Sequence, residues 1–473
     1  MAPPDDDHNC GWKAYAAAQE QKLAELTEKL ASLERRLFEK KSERLPSSKL
    51  PPPLPKGKRT PAEARQARKD NAALREASVQ TDVTSLPVTD KHCSKCDGEM
   101  RRIGSKPSMI WEYVQPFFRK RVYDRETVAC ACGHIITAPA PERIGEKTRY
   151  APSFVAHLIV NKCAHANPQH RLEKAYRDIG IPMSRSTMCS LIHRGARELR
   201  PLYAASLALV PAAADVHADE TSMRQQDRDG RSYLWTFVTP ELVVYRYATT
   251  RSGSVPEQVL GDSPGRLVVD QYTGYNAVTK PGRRERAGCF AHVRRKFYEQ
   301  RQHPETEMAL ELITRLYRVE DHAKATSILG TTEHLALRQR ESKPLFVQLL
   351  RWGRAHRAAF APRSAMGRAI RYLLKNFRAL GRFLRYPSIP LDNNIAEASL
   401  RRVALGRANY LFYGNEQAGH NFAALYTLVA SCEKHRINAI AYLTDVLTRV
   451  HRHPARAIEE LLPHRWKPPD SSA

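Results

Sequence analysis

The sequence predicts a multidomain α/β protein, with an α/β core split by a helical insertion and preceded by several small modules. Three observations carry that expectation. The chain has 473 residues, more than one ordinary domain holds. Between residues 215 and 297, short β-branched and aromatic runs are punctuated by turn residues and followed by helix-forming stretches. Lys and Arg number 76 against 50 Asp and Glu, a net charge of +26, and a surplus of that size requires a polyanionic partner, nucleic acid first of all. The 42% of hydrophobic residues argues against wholesale disorder. No apolar run approaches the ~18 residues of a membrane span, and the acidic Met1-Ala2-Pro3-Pro4-Asp5 start lacks the apolar stretch of a secretory signal. A cytoplasmic protein is expected, with no membrane partner.

In residues 1–45, Leu23, Leu26, Leu30, Leu33 and Leu37 step by three and four along one helix seam, with Glu25, Glu28, Lys29, Glu34, Arg35 and Arg36 off it. This leucine-zipper-like helix is expected to dimerise; an amphipathic helix packed on its own protein would show the same two heptads. Residues 46–88 open Pro-rich and basic (Pro46, Pro51, Pro52, Pro53, Pro55 with Lys56, Lys58, Arg59, Arg65, Arg68 and Lys69), which suits a flexible linker unable to bury a core.

Residues 89–142 hold Cys93-x-x-Cys96 and Cys130-x-Cys132 around a strand-rich stretch, 110–128. Two close cysteine pairs suit a zinc-ribbon-like module closed around one structural, tetrahedral Zn2+, with His92 and His134 able to replace a thiolate. Reduced structural cysteines are the alternative. Cys10, Cys163, Cys189, Cys289 and Cys432 are scattered and read as small buried hydrophobes.

Residues 148–205 read as helices. Arg171 to Ile179 is followed by Gly180-Ile181-Pro182, and a second helix starts behind the N-cap Ser184, running through Met188, Leu191 and Ile192. This is the outline of a helix-turn-helix, in which Arg185, Ser186 and Thr187 would lead the recognition helix; two helices of a plain bundle give the same outline.

Residues 212–300 form the first part of the core. Strands are expected over Val216–Thr221, Ser232–Thr239 and Leu242–Thr249, a helix over Ser254–Leu260, strands over Arg266–Asp270 and Arg286–Phe290, and a helix from Ala291. Three strands, a helix, a strand tipped with an acid, another strand and a helix is the order of an RNase H-like domain. It sets Asp219 on the first strand beside Asp270 at the tip of the fourth. Converging carboxylates are what divalent ions need when phosphate and water supply the other ligands. A third acid, Glu397, lies in Asp392-Asn393-Asn394-Ile395-Ala396-Glu397, within the second part of the core (391–432), with Arg401 one turn on. Glu220 points to the opposite strand face and reads as structural. His292 either orients a phosphate or caps its helix.

Residues 301–390 form the helical insertion. From Ser342 to Leu391 there are 11 Lys or Arg and no Asp or Glu. Arg368, Arg371, Lys375, Arg378, Arg382 and Arg385 step by 3, 4, 3, 4 and 3, and Ile370, Leu373, Leu374, Phe377 and Leu384 line the other side of the expected helix. Solvated helix faces mix signs, so a one-sign stripe points to phosphate contact. With Arg185, the further expected DNA contacts are Arg294, Arg295, Lys296, Arg401, Arg402 and Arg407. Residues 433–473 close the chain as a helical segment.

These motifs carry a family resemblance. The cysteine pairs, Ala218-Asp219-Glu220-Thr221, Val269-Asp270-Gln271-Tyr272-Thr273-Gly274-Tyr275-Asn276, Gly288-Cys289-Phe290-Ala291-His292-Val293-Arg294-Arg295-Lys296-Phe297 and Asp392-Asn393-Asn394-x-x-Glu397 resemble the DDE transposases of the IS-sixty-six insertion-sequence family. Residues 37–44 and the end, from Tyr442 to Leu447 and from Glu460 to Pro463, are similar to that family too. The resemblance implies a catalytic triad of Asp219, Asp270 and Glu397 holding two Mg2+ (or Mn2+) ions. Such an enzyme binds the ends of its mobile element, cleaves DNA and transfers 3′-hydroxyl ends into target DNA. Its implied partners are element-end and target DNA, a second copy of itself or more, and accessory proteins of the element; its place is the nucleoid. The chain departs from the family pattern in the single residue between Cys130 and Cys132, and in Ala398, where Arg often follows the catalytic Glu. A catalytically silent DNA-binding repressor and a plain RNase H-like nuclease are the competing expectations.

Overall fold

A computed structural model describes residues 148–468 without a break and, before them, only scattered positions within 16–30, 62–73 and 118–144. The expected zinc ligands Cys93, Cys96, Cys130 and Cys132, and the seam positions Leu33 and Leu37, lie outside the described residues. Leu23, Leu26 and Leu30 lie on a helix and are each more than half exposed. The chain divides into two units, one of residues 53–122 and one of the remainder. In the smaller unit the described positions from 62 to 73 are helical, with Gln66 donating to Asp70 one turn on, at 2.8 Å. In the larger unit, β1 (Thr127–Ala129) pairs antiparallel with β2 (Ile135–Thr137).

Four helices follow: α1 (Pro152–Cys163), α2 (Gln169–Asp178), α3 (Arg185–Glu198) and α4 (Arg200–Leu209). The turn between α2 and α3 starts at Gly180, whose φ of +80° is the left-handed conformation that ends a helix cheaply only with glycine. Ser184 caps α3, its hydroxyl accepting the Thr187 N–H at 3.2 Å. Met188, Leu191 and Ile192, spaced three and four apart, are the buried side of α3.

The sheet then forms from β3 (Asp215–Gln225), β4 (Arg231–Val238) and β5 (Val243–Ala248). After α5 (Ser254–Leu260) come β6 (Arg266–Val268) and β7 (Glu285–Ala287). The order across the sheet is β5-β4-β3-β6-β7. The middle strand β4 is antiparallel to both β3 and β5, and β6 and β7 run parallel to β3. The result is a mixed α/β architecture, its strands and helices following one another along the chain in the expected succession. The fifth strand is shorter than expected: it stops at Ala287, and Phe290 already opens α6 (Phe290–Tyr298).

Strand alternation sorts the side chains of β3. Val216 and Ala218 join Trp235, Phe237 and Val244 in one core layer, which packs with Val255 and Val259 of α5. The opposite face carries His217, Asp219, Thr221 and Met223. It meets α12 (Asn394–Tyr410) and α13 (Glu416–Lys434), which follow the insertion and, between them, β8 (Phe412–Tyr413). Helix α13 is buried continuously from Phe422 to Cys432, because it lies between β5 and the helices α1, α3 and α4. The last helix, α14 (Ala439–Arg449), packs on α1.

The insertion consists of α7 (Thr306–Ala325), α8 (Thr332–Leu337), α9 (Lys343–Ala355), α10 (Ala365–Lys375) and α11 (Phe377–Leu380). It has its own core, in which Phe290, Phe297, Ile313, Leu316, Leu349, Trp352 and Leu373 cluster. Arg338, 1% exposed, ties it together. Its guanidinium holds both oxygens of Glu320 and the carbonyls of Phe383, Tyr386 and Ile389. The single basic helix expected through Arg385 is not continuous. Asn376 turns its side chain back onto the Tyr372 carbonyl at 2.7 Å and ends α10; after α11, residues 381–384 form a 3-10 turn.

Candidate active site

The register of the parallel strands builds the site. His217 of β3 lies opposite Val268 of β6, so two residues on, Asp219 and Asp270 fall at the same level on neighbouring strands. The Val269 N–H still reaches the Ala287 carbonyl at 3.1 Å, which keeps the chain extended up to Asp270. There the strand ends, and Asp270 accepts the Tyr272 N–H at 2.8 Å, an Asx turn that fixes its carboxylate. Asp219 accepts the N–H of Glu220 at 2.9 Å.

The third acid arrives on α12, whose start is stapled to β3. The Asn393 side chain, 2% exposed, donates to the Ala218 carbonyl at 2.8 Å and meets His217 Nδ1 at 3.1 Å. Its own N–H points at the Cys289 Sγ, 3.3 Å away. Asp392 caps this start by accepting from the Asn394 N–H at 3.1 Å, and is itself held by the Tyr317 hydroxyl at 3.1 Å. The Glu397 N–H bonds to the Asn393 carbonyl at 3.2 Å, so Glu397 stands one turn along on the stapled face.

Electrostatics report the convergence. The Asp219 carboxyl is pushed up to about 7, first by burial, then by the charges of Glu220, Asp270 and Glu397, against the pull of the Glu220 N–H. The charges of Asp270 and Glu397, from two other elements, therefore reach Asp219 here. Glu397 Oε1 is shut off from solvent with no hydrogen-bond partner, and so is His292 Nδ1, 3.9 Å from it. A cluster of mutually repelling carboxylates with a bare inward oxygen fits a hard divalent cation, for which oxygen is the preferred donor.

Glu220 faces the other way, as strand alternation requires. It is gripped by Arg251 and by the Tyr275 hydroxyl at 2.7 Å, and Arg251 also lies over the Tyr272 ring. Arg286 braces the loop after Asp270 by donating to the Tyr272 carbonyl and to Asn276.

Comparison with known proteins finds two matching families. The family described as "Transposase IS66 family" matches residues 147–421, more than half of the chain, and "IS66 C-terminal element" matches residues 427–464. The chain belongs to the IS66 transposase family. Three curated relatives come from Sinorhizobium fredii (strain NBRC 101917 / NGR234). The uncharacterized protein y4hP is 30% identical over 79% of this chain and 73% of its own. The uncharacterized proteins y4jD and y4qI are 29% and 30% identical, over 87% and 86% of this chain and 85% and 79% of theirs.

In this IS66-family chain the basic residues singled out from the sequence divide into three groups. Arg185, Arg295, Arg368, Arg371, Lys375, Arg378, Arg385 and Arg401 are exposed, although Arg185 also lies 3.3 Å from Glu173. Arg294 and Lys296 are half-buried over the rings of Tyr298 and Tyr372. The others serve the fold. Arg382 pairs with Glu285 at 3.3 Å. Arg402 is clamped by both oxygens of Glu433. Arg407 donates to the Ser222 carbonyl at 2.7 Å and to the Thr221 hydroxyl, holding α12 to β3. The partners of Arg382, Arg402 and Arg407 lie far off in sequence, so spacing alone grouped them with the phosphate contacts. Among the described residues, no helix is long and apolar enough to cross a membrane.

The staple of His217, Asn393 and Cys289 was not read from the sequence. Its signals were present: His217 shares the strand face of Asp219, two residues away, and Asn393 shares the helix face of Glu397, four residues away.

Proposed function

We propose that this chain is a metal-dependent DNA transposase with an RNase H-like catalytic core. Asp219, Asp270 and Glu397 would hold two Mg2+ or Mn2+ ions. The observation that carries this reading is geometric: strand register sets Asp219 and Asp270 level on neighbouring strands, and the Asn393 staple ties the start of the helix bearing Glu397 to β3. Bound there, divalent ions supply positive charge that makes water or a 3′-hydroxyl a nucleophile and stabilises the departing 3′ oxygen.

The chain's own residues do the rest. Asn393, His217 and the Asx turn at Asp270 fix the carboxylates before substrate arrives, so little reorganisation is left for the reaction. Arg401, exposed one turn beyond Glu397, is placed to meet a phosphate, as are Arg368, Arg371, Lys375 and Arg378 across the insertion. In the first step water attacks the phosphorus at the element end, the P–O3′ bond breaks, and a 3′-hydroxyl is freed. In the second that hydroxyl attacks a target phosphodiester, forming a new P–O bond and releasing a target 3′-hydroxyl. Each step exchanges one P–O bond for another, so no covalent enzyme intermediate is required.

Recognition of the ends is assigned to α2 and α3 acting as a helix-turn-helix led by Arg185, with the four-cysteine module as a structural Zn2+ site and the N-terminal helix as the dimer contact. The test is a joining assay with element-end DNA in Mg2+, comparing wild type with Asp270→Ala. Joined product from wild type alone is expected. Cleavage without joining would make the protein a nuclease, no product from either would make it a silent binder, and joining by Asp270→Ala would sink the triad.

A further inference from the structure

Cys289, His292 and Glu397 carry donor atoms that all lie within 4.8 Å of one another. The first two belong to the junction of β7 with α6 and the third to the first turn of α12, so the Asn393 staple also brings these groups together. His292 Nδ1 and Glu397 Oε1 stand 3.9 Å apart, too far for a hydrogen bond, and neither has another partner or access to solvent. Two bare, complementary atoms at that spacing match two ligands of a single ion. Ligands bonded at about 2.0–2.3 Å to one centre sit roughly 3.3–4 Å from each other. Cys289 offers a third donor, and its Sγ already receives the Asn393 N–H, which fixes its direction.

The donor set decides the kind of ion. Asp219 and Asp270 offer oxygen only, which suits Mg2+. Sulfur, imidazole nitrogen and one carboxylate oxygen form a set that Mg2+ avoids and Zn2+ takes, with a fourth position left for water. We propose that Cys289, His292 and Glu397 form a separate site for a thiophilic divalent cation of the zinc kind, which withdraws Glu397 from the Mg2+ set and so switches the enzyme off. The site itself stands on these three residues; its effect on activity rests on the reading of Glu397 as a catalytic ligand. Binding replaces the thiol proton by the ion and releases that proton to solvent.

The test uses the full-length protein, stripped of metal and titrated with Co2+. Thiolate-to-cobalt absorption in the near ultraviolet should be larger for wild type than for Cys289→Ser by the amount of one site, because serine keeps an acceptor for the Asn393 N–H but is a poor ligand. His292→Asn should lose the same increment. In Mg2+-supported joining, Cys289→Ser should need at least about tenfold more Zn2+ for half inhibition than wild type. The four-cysteine module contributes equally to both proteins and cancels in the difference. No Cys289-dependent absorption would overturn the site. Equal Zn2+ sensitivity of wild type and Cys289→Ser would overturn the switch. A wild type inactive in Mg2+ would refute the transposase reading, while the Co2+ difference would still decide the site.

Discussion

Replacing Asp219 by Asn should make the metal-free protein more stable, and only above acid pH. Burial and the charges of Glu220, Asp270 and Glu397 raise the Asp219 carboxyl from 3.8 to about 7. An acid whose pKa is raised on folding binds its proton more tightly in the native state. Stability therefore falls as pH rises from about 4 to about 7, and the loss is complete above that window. That rise corresponds to a ceiling of about 4 kcal/mol. Solvent screening and relaxation at this partly exposed carboxylate bring the expected loss to about 1–2 kcal/mol. Asparagine keeps the Oδ1 that accepts the Glu220 N–H and removes the charge. Thermal melts of both proteins in chelator, at pH 5 and pH 8, read the effect directly. The variant should melt a few degrees higher than wild type at pH 8, with only about a third of that gap at pH 5. Added Mg2+ should then raise wild type by mass action and leave the variant nearly unmoved. A variant no more stable than wild type at pH 8, or equally stabilised at both pH values, would refute the clustering of acids.

Three further outcomes follow from particular contacts. Asn393→Ala leaves His217 and the Ala218 carbonyl without their partner; it should cost about 1–3 kcal/mol in denaturant melts and depress joining more than DNA binding. Arg338→Met leaves three carbonyls and the half-buried Glu320 without their guanidinium, so a loss of about 2–3 kcal/mol is expected, with hydrogen exchange quickening in α7 to α11 before the sheet. Charge reversal at Arg368, Arg371 and Arg378 together should weaken DNA binding and flatten its salt dependence by about three units of slope without changing the melting point. Arg402→Ala, by contrast, should lower stability through the loss of its Glu433 pair and leave the salt slope unchanged.

The contrast between Arg402 and Arg401 shows where reading a sequence stops. Both are basic, adjacent and one turn past Glu397, and only packing against a residue 31 positions away commits one of them to Glu433. Local features were legible. Ser184 as a cap, Gly180 as a helix end, the alternation that turns Glu220 away from Asp219 and the strand order around Asp270 all follow from short-range geometry. The basic run through Arg385 misled because period alone cannot register Asn376, whose side chain competes for a helix carbonyl. Nor does periodicity disclose the Arg338 hub or the Asn393 staple, which depend on buried polar groups meeting across 45 and 175 positions.

The central claim is that Asp219, Asp270 and Glu397, from three elements far apart in sequence, form one divalent-cation site. It is tested most directly by Fe2+-directed cleavage of the protein backbone, with ascorbate and peroxide generating radicals only where the ion sits. Cuts clustered around residues 219, 270 and 397 together, all suppressed by excess Mg2+, are the predicted result. Cuts that spare one of the three segments, or that Mg2+ fails to suppress, would contradict it.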